Sequence, residues 1–149
     1  MSLTVTREEL SALEPEWRGL LTECARAYPF LSPTWSRTWW DVFGDGREQM
    51  VLGIRYADGL VGVLPLMRED GRLTFAGNTK ICDYMDIVVG DSSHAEAWAA
   101  VLRSLSEEPW DEVTLWAVRE DSPTYAALPA VCRAMGLAFA AEVEDVCPQ

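Results

Sequence analysis

Two carboxylates and a phenol lie close together in the segment Asp83-Tyr84-Met85-Asp86, in the middle of the chain. A phenol and a carboxylate at the mouth of a sheet can orient an amine substrate or accept its proton. If residues 84–89 are extended, Tyr84 and Asp86 share one face, because side chains alternate along a strand. We therefore predict Asp83, Tyr84 and Asp86 as catalytic or substrate-binding residues. The competing interpretation is structural, a loop cap with a hydrogen bond at the edge of the sheet.

The loop before this segment carries Asn78 and Lys80, whose amide and ammonium groups are placed to line the same cleft. We add both residues to the predicted substrate-binding set. For Lys80 the alternative is a solvated surface position, because a lysine ammonium is rarely buried without a partner.

A second candidate site is Gly90-Asp91-Ser92-Ser93, between a predicted strand and a predicted helix. The first turn of a helix leaves backbone N–H groups unpaired, and together with the positive end of the helix dipole they attract anions. We predict Gly90, Ser92 and Ser93 as cofactor-binding positions for a phosphate, with Asp91 competing against it. The alternative is an ordinary strand-to-helix turn with a capping serine.

The residues that most often bind metals are few and scattered. His94, the single histidine, lies beside a predicted helix start, where we expect a solvated side chain. No Cys-x-x-Cys pair occurs, so we expect no zinc site and no metal. We expect reduced thiols, as in the cytoplasm, for the four cysteines, which are Cys24, Cys82, Cys132 and Cys147.

The composition is that of one acidic globular domain. Hydrophobic residues make up 49% of the 149 positions, and 24 acidic against 12 basic residues give a net charge of −12. This charge repels a phosphate backbone, so we expect no nucleic-acid partner. No apolar run approaches the roughly 20 residues of a membrane span, so we expect a cytoplasmic protein without a membrane partner.

Helical patterns occupy four stretches of the sequence. Thr6-Arg7-Glu8-Glu9 reads as a capping box before an apolar face that runs from Leu10 to Cys24, with an interruption near Pro15. Ser32-Pro33 predicts the next helix start, and Gly44 its end. Two further helices are predicted from a capping box at Ser93 and from Ser122-Pro123 to Gly136, the latter broken near Pro129.

The period of the pattern changes to that of strands in the middle of the chain. Asp58-Gly59 and Asp70-Gly71 are hairpin signals, because a tight turn favours positive φ. Six strands are predicted, at residues 50–56, 60–67, 72–76, 84–89, 112–118 and 137–143. Of the seven tryptophans, we expect a core role rather than sugar stacking for Trp17, Trp35, Trp39 and Trp98.

This order of elements resembles the GNAT fold of N-acyltransferases. More narrowly, the chain resembles the N-terminal half of the CelD-like or BioF2-like acetyltransferases, relatives of the FemABX aminoacyltransferases. The resemblance runs from about Arg7 to Pro148. It is carried by Phe30-Leu31-Ser32-Pro33-Thr34-Trp35, Trp39-Trp40-Asp41-Val42-Phe43-Gly44, Val61-Gly62-Val63-Leu64-Pro65-Leu66, Leu73-Thr74-Phe75-Ala76-Gly77, Asp83-Tyr84-Met85-Asp86, Trp110-Asp111-Glu112-Val113, Asp121-Ser122-Pro123 and Cys147-Pro148.

The resemblance implies an α/β fold with a mixed, mostly antiparallel central sheet flanked by helices, formed by residues 1–149 as a single domain. In that family two GNAT-like domains lie in tandem, and the donor, acetyl-CoA or another acyl-CoA, is expected in the second. We therefore expect this chain to be the N-terminal half of a longer protein. The partner implied is a second GNAT-like domain, or a second copy of the chain.

GNAT enzymes hold CoA through a splayed strand, a glycine-rich loop and the helix that follows. By position, residues 84–89 match the strand and Ser93 begins the helix. The family's Gln/Arg-x-x-Gly-x-Gly/Ala run is absent from Gly90-Asp91-Ser92-Ser93. We therefore do not expect this chain to bind the donor alone.

The implied function is the acceptor side of an acyl-CoA-dependent N-acyltransferase, in which a small-molecule amine attacks the thioester and a carboxylate or water removes the proton. On this interpretation the chain is not sufficient for catalysis. The alternative is a non-catalytic GNAT-fold module for interaction or dimerisation. A self-sufficient acetyltransferase is a third hypothesis, against which the missing phosphate loop argues.

Overall fold

The structure is a computed structural model that describes residues 2–24, 28–78, 80, 82–90 and 93–143. Ser92 and the Cys147-Pro148 motif lie outside the described residues. The strands are β1 (Leu3–Arg7), β2 (Glu48–Tyr56), β3 (Gly59–Glu69), β4 (Arg72–Phe75), β5 (Val88–Val89) and β6 (Glu112–Thr114). The helices are α1 (Leu10–Leu21), α2 (Pro33–Phe43), α3 (His94–Leu105) and α4 (Pro123–Ala134), with a 3₁₀ turn at Pro29–Leu31.

Within the described residues, the strands form one mixed sheet in the order β1-β2-β3-β4-β6, and β5 pairs with β3. Every pairing is antiparallel except that of β4 with β6. The hairpin predicted at Asp70-Gly71 is confirmed, and both residues have positive φ, at 49° and 81°. The turn predicted at Asp58-Gly59 is formed by Ala57 and Asp58, and Ala57 carries the positive φ.

Helices flank the sheet and bury apolar faces against it. Trp17 of α1 and Trp98 of α3 lie fully buried in the main core, as predicted. Trp39 of α2 packs instead on Met67 and Ala76 in a separate cluster. The caps predicted for two helices are confirmed, because the hydroxyls of Ser32 and Ser122 accept hydrogen bonds from the N–H groups of Trp35 and Thr124.

The capping box predicted at the N-terminus is wrong. Thr6 lies in β1, where its hydroxyl donates to Glu8 Oε2 at 2.7 Å, and α1 begins at Leu10 without a side-chain cap. Strand pairing with β2, from Leu3 opposite Tyr56 to Arg7 opposite Leu52, satisfies the backbone of this segment instead.

Two ion pairs of Arg55 connect β2 with α1 and with the residue that follows β1. Arg55 of β2 reaches Glu8 Oε1 at 2.7 Å and Glu16 Oε2 at 3.2 Å. Hydrogen bonding from Arg55 lowers the pKa of Glu8, and burial opposes that effect.

The predicted helix interruptions at Pro15 and Pro129 are also wrong, because α1 and α4 run through them. The strand predicted at residues 137–143 is not formed in this structure. No helix of the described residues is both long and apolar enough to cross a membrane.

The pairing of β3 reveals a strand that is interrupted and then resumed. Leu66 of β3 lies opposite Phe75 of β4, and Val63 of β3 lies opposite Val88 of β5. Because β2 pairs with the other edge of β3, β4 and β5 pair one after the other with the same edge of β3 and occupy the same strand position in the sheet. We call the segment between them, residues 76–87, the mid-strand loop. It contains most of the side chains in which the sequence suggested chemistry.

Candidate functional site

The mid-strand loop leaves the sheet in a local turn and returns beside the end of β6. The N–H of Ala76 still donates to Pro65 O at 2.9 Å, and the N–H of Cys82 donates to Asn78 O at 3.0 Å. On the return, the N–H of Met85 donates to Ala117 O at 3.1 Å. Residues 84–87 are therefore not part of the ladder in which the sequence pattern placed them, and only Val88–Val89 pairs as a strand.

The turn leaves the predicted polar residues at the surface. Asn78, Lys80 and Asp83 are exposed, and Tyr84 is half-buried. The side chain of Asn78 accepts the N–H of Lys80 at 2.7 Å, so its oxygen stabilises the turn. The amide nitrogen of Asn78, the ammonium of Lys80 and the carboxylate of Asp83 form the polar part of this surface.

Asp86 lies in the interior, on the opposite side of the loop from this surface. Only 3% of the residue is exposed. Its Oδ2 accepts the hydroxyl of Ser122 at 2.5 Å, and its Oδ1 accepts the hydroxyl of Thr124 at 2.6 Å and the N–H of Ile87 at 2.8 Å. The structure therefore corrects the prediction that Asp86 and Tyr84 share an open cleft.

The helix that follows β6 explains why Asp86 is buried. Ser122 caps α4, and the positive end of the helix dipole favours a carboxylate at this place. Thr124 also accepts the indole N–H of Trp98 at 3.0 Å, which extends the network to α3. Three hydrogen-bond donors compensate the burial of this carboxylate. Asp86 therefore holds the mid-strand loop against the start of α4 directly, and against α3 through Thr124.

Tyr84 belongs to an aromatic and cationic cluster with Tyr28 and Arg119, which we call the Tyr84 cluster. The rings of Tyr84 and Tyr28 are 5.2 Å apart, and the guanidinium carbon of Arg119 lies 5.1 Å from the Tyr84 ring centroid. Arg119 also pairs with Asp121 at 2.9 Å, and this carboxylate raises the pKa of Arg119. No local pattern in the sequence connects Tyr28 and Arg119 with Tyr84, so neither residue was predicted at this site.

Of the predicted anion site, the structure describes Gly90 and Ser93. The N–H of Ser93 donates to Gly90 O at 2.9 Å, so that donor is already used. Ser93 occupies the N-cap position of α3 but its hydroxyl makes no capping hydrogen bond, so the capping box predicted there is wrong. The predicted solvation of His94 is wrong too: only 3% of it is exposed, because it lies in the first turn of α3 and faces the interior.

A small cavity lies beside β5 and the first turn of α3. Its volume is about 10 Å³, and its lining is Cys24, Leu31, Asp86, Ile87, Val88, Val89 and His94. This volume is close to that of one water molecule by the same kind of measure.

A larger depression of about 780 Å³ lies at the β3–β4 turn, next to the start of β4. Its lining mixes both signs of charge, including the pair formed by Arg47 and Glu69 at 2.8 Å. None of the predicted site residues that the structure describes borders it.

Neither buried thiol of the described core is activated. Burial raises the pKa of Cys82 and of Cys132, which favours the protonated form. Among the described residues, no group of three or more histidine, cysteine, aspartate and glutamate side chains is placed to hold a metal ion.

Several solved structures share this arrangement of elements over their whole length. The ribosomal-protein-alanine N-acetyltransferase from Brucella melitensis biovar Abortus 2308 is 18% identical, with a TM-score of 0.50, over 99% of this chain and 100% of that one. The fold is that of the GNAT acetyltransferases. Two aminoglycoside acetyltransferases from uncultured soil metagenomic samples agree.

The first of these two is 16% identical over 100% of this chain and 99% of its own, with a TM-score of 0.56. The second, in complex with sisomicin, is 14% identical over 99% and 95%, with a TM-score of 0.53. No protein-family model and no curated protein matches the sequence. At these identities the comparisons establish the GNAT fold, and the narrower CelD-like resemblance stays a prediction.

The donor position that the GNAT resemblance assigns can be compared with the described residues. It lies between the strand that ends at Val89 and the start of α3, where the cavity of about 10 Å³ is found. The lining of that cavity includes a carboxylate but no lysine or arginine. Met85 and Ile87, just before this strand, are buried. The cavity lining described at this position therefore supplies no cationic side chain to the phosphates of an acyl-CoA.

Proposed function

We propose that this chain is the acceptor-side GNAT-like domain of an acyl-CoA-dependent N-acyltransferase, and that a second GNAT-like domain binds the donor. The observation that supports this proposal is the mid-strand loop. Its return is held by the hydrogen bond from the N–H of Met85 to Ala117 O, just before the strand Val88–Val89. Its outward turn presents polar groups to solvent.

The acceptor surface consists of Asn78, Lys80, Asp83 and Tyr84. A carboxylate can bind a protonated amine through a charged hydrogen bond, and the oxygen of a phenol can accept a second hydrogen bond from it. The net charge of −12 concentrates cations around the molecule, which favours a polyamine over an anionic acceptor. Asp83 and Tyr84 bind and orient the amine on this proposal, and Asp86 holds the loop from inside.

Two titrations of the unsubstituted chain test the proposal. Calorimetry with acetyl-CoA at millimolar concentration should give no heat of binding. Sisomicin and spermidine, which are polyamines, should shift the amide resonances of Asn78, Lys80, Asp83 and Tyr84 in an NMR titration. Asp83→Asn should weaken this binding by about twofold to fivefold, the range for one exposed charge pair, and Lys80→Ala should strengthen it.

Two results would contradict this proposal. Tight one-to-one binding of acetyl-CoA would favour a self-sufficient acetyltransferase and overturn the donor-free assignment. If neither amine shifts the loop resonances, the acceptor role fails, and the non-catalytic interaction module becomes the better explanation of this GNAT fold.

A further inference from the structure

Lys80 is the only lysine among the 12 lysine and arginine residues of the chain. The guanidinium of an arginine stays protonated in proteins, whereas the amine of a lysine can lose its proton and act as a nucleophile. Apart from a terminal amine, Lys80 is therefore the one position of this chain at which an activated acyl group can form an amide.

The ammonium of Lys80 is accessible in this structure. Lys80 is exposed, and within the described residues its ammonium has neither an ion pair nor a hydrogen bond. Several arginines, by contrast, are paired, for instance Arg47 with Glu69 at 2.8 Å. The backbone of Lys80 is held in the turn, because its N–H donates to Asn78 Oδ1 at 2.7 Å. A reagent in solvent can therefore reach the amine without opening the turn.

Lys80 is also the only cationic side chain of the proposed acceptor surface. The nearby Arg119, which lies 5.1 Å from the Tyr84 ring, is already paired with Asp121. A cationic amine at this surface is attracted by the carboxylate of Asp83 and repelled by the ammonium of Lys80. Neutralising Lys80 therefore removes the repulsion and leaves the attraction unchanged.

We propose that acylation of Lys80 by an acyl phosphate is a switch that strengthens the binding of cationic amines at the acceptor surface. This inference rests on the function proposed above and names a regulation of the same site. An acyl phosphate suits this chain because it needs no pantetheine site. The cavity beside β5, in comparison, supplies no cationic side chain to the phosphates of CoA.

The reaction exchanges one bond at the acyl carbon for another. The ammonium of Lys80 first gives a proton to solvent, and the neutral Nζ attacks the carbonyl carbon of the donor. The C–N bond forms, the C–O bond to phosphate breaks, and the leaving phosphate takes the bonding electron pair and a further proton from the nitrogen. The product is an amide, which carries no charge at the position of the former ammonium.

Mass spectrometry with acetyl phosphate as the probe tests the modification. We expect peptide mapping to find an acetyl group on Lys80 after incubation at millimolar acetyl phosphate. The rate in the native chain should be about that in the chain unfolded by urea, because the ammonium is exposed and unpaired. The matched control is Lys80→Arg, which keeps the positive charge and should gain no acetyl group at this position.

An NMR titration with spermidine tests the switch. The acetylated chain should bind spermidine about twofold to fivefold more tightly than the untreated chain, which is the range for one exposed charge interaction. Lys80→Gln, which has a neutral amide without any treatment, should show the same increase. Lys80→Arg should bind like the untreated chain, both before and after exposure to acetyl phosphate.

The outcomes separate this inference from the function on which it rests. Spermidine binding that acetylation of Lys80 does not strengthen would overturn the switch alone. Protection of Lys80 from acetyl phosphate in the native chain, with modification in urea, would overturn the site. Modification by acetyl-CoA but not by acetyl phosphate would overturn the donor class. Absence of spermidine binding in the untreated chain, the acetylated chain and Lys80→Gln alike would overturn the acceptor role itself, and the switch with it.

Discussion

At the scale of single residues, three neighbours in the mid-strand loop have different environments. Asp83 is exposed, Tyr84 is half-buried against Tyr28 and Arg119, and Asp86 is enclosed by hydroxyl donors. A side chain that contacts solvent is available to a substrate, whereas a carboxylate with three internal donors stabilises the fold. Two residues close in sequence therefore have different roles: Asp83 is available to a substrate at the surface, and Asp86 stabilises the fold from the interior.

The enclosed carboxylate leads to a prediction about stability. Asp86→Asn replaces an acceptor oxygen by an N–H₂ group that faces the donors from Ser122 or Thr124, so it should lower the free energy of unfolding by about 2–3 kcal/mol. Urea denaturation followed by tryptophan fluorescence measures this loss. Asp83→Asn is the matched control, and as an exposed position it should change stability by no more than about 0.5 kcal/mol. Equal stability of the two variants would contradict the anchoring role.

At the scale of elements, the mid-strand loop is positioned by close packing at its first turn. Gly77 has φ of +154°, and a Cβ atom at this position would lie 3.1 Å from the Trp116 ring and 3.2 Å from Cys82 Sγ. Trp116 itself packs edge-on against Phe75 of β4, with ring centroids 5.8 Å apart. The glycine thus lets the loop leave the sheet directly beneath an indole ring.

This packing predicts different effects for two glycines of the same region. Gly77→Ala should destabilise the protein by about 1–3 kcal/mol, because the added methyl group displaces Trp116 or Cys82. At Gly90 no described atom lies within 4 Å of an added Cβ, so Gly90→Ala should be neutral or slightly stabilising. Thermal unfolding followed by near-ultraviolet circular dichroism compares the two. A neutral Gly77→Ala would show that the loop adjusts freely and has no such packing constraint.

At the scale of the whole molecule, the dominant electrostatic feature is an excess of negative charge. Twice as many acidic as basic residues repel one another in the folded chain, and surface ion pairs compensate only locally. Some of the paired arginines are exposed, for instance Arg7 with Glu48 at 3.5 Å, whereas Arg55 and Arg68 are mostly buried. We therefore expect the repulsion summed over the surface to exceed the contribution of the individual pairs.

The expected consequence is a melting temperature that rises with salt. Going from about 0.01 M to about 0.15 M ionic strength shortens the screening length from about 30 Å to about 8 Å and weakens the repulsion. Scanning calorimetry measures the change. Glu107→Lys, which places a cation just beyond the C-terminal end of α3, should raise the melting temperature at low salt and reduce its salt dependence. A melting temperature that falls with salt would mean that the ion pairs outweigh the repulsion.

Local physical chemistry in the sequence determined much of the architecture. The hairpin at Asp70-Gly71, the caps at Ser32 and Ser122 and the buried faces of α1 and α3 all depend on residues a few positions apart. Positive φ in a turn, a hydroxyl that accepts a helix N–H and apolar spacing near 3.6 residues each act within one element. These signals were sufficient to predict the order of helices and strands and an antiparallel hairpin. The mixed sheet flanked by helices followed from the resemblance that this order carries, and the comparisons confirm the GNAT fold.

Only the tertiary structure decided where the chemistry-bearing side chains lie. The pattern of residues 84–89 is that of a strand, yet only Val88–Val89 pairs, because Met85 bonds to Ala117 and Asp86 to the start of α4. These partners are about thirty residues or more away along the chain, and no local period encodes them. The same long-range competition drew Leu3–Arg7 into the sheet, since β2 offered backbone partners that a short helical turn did not.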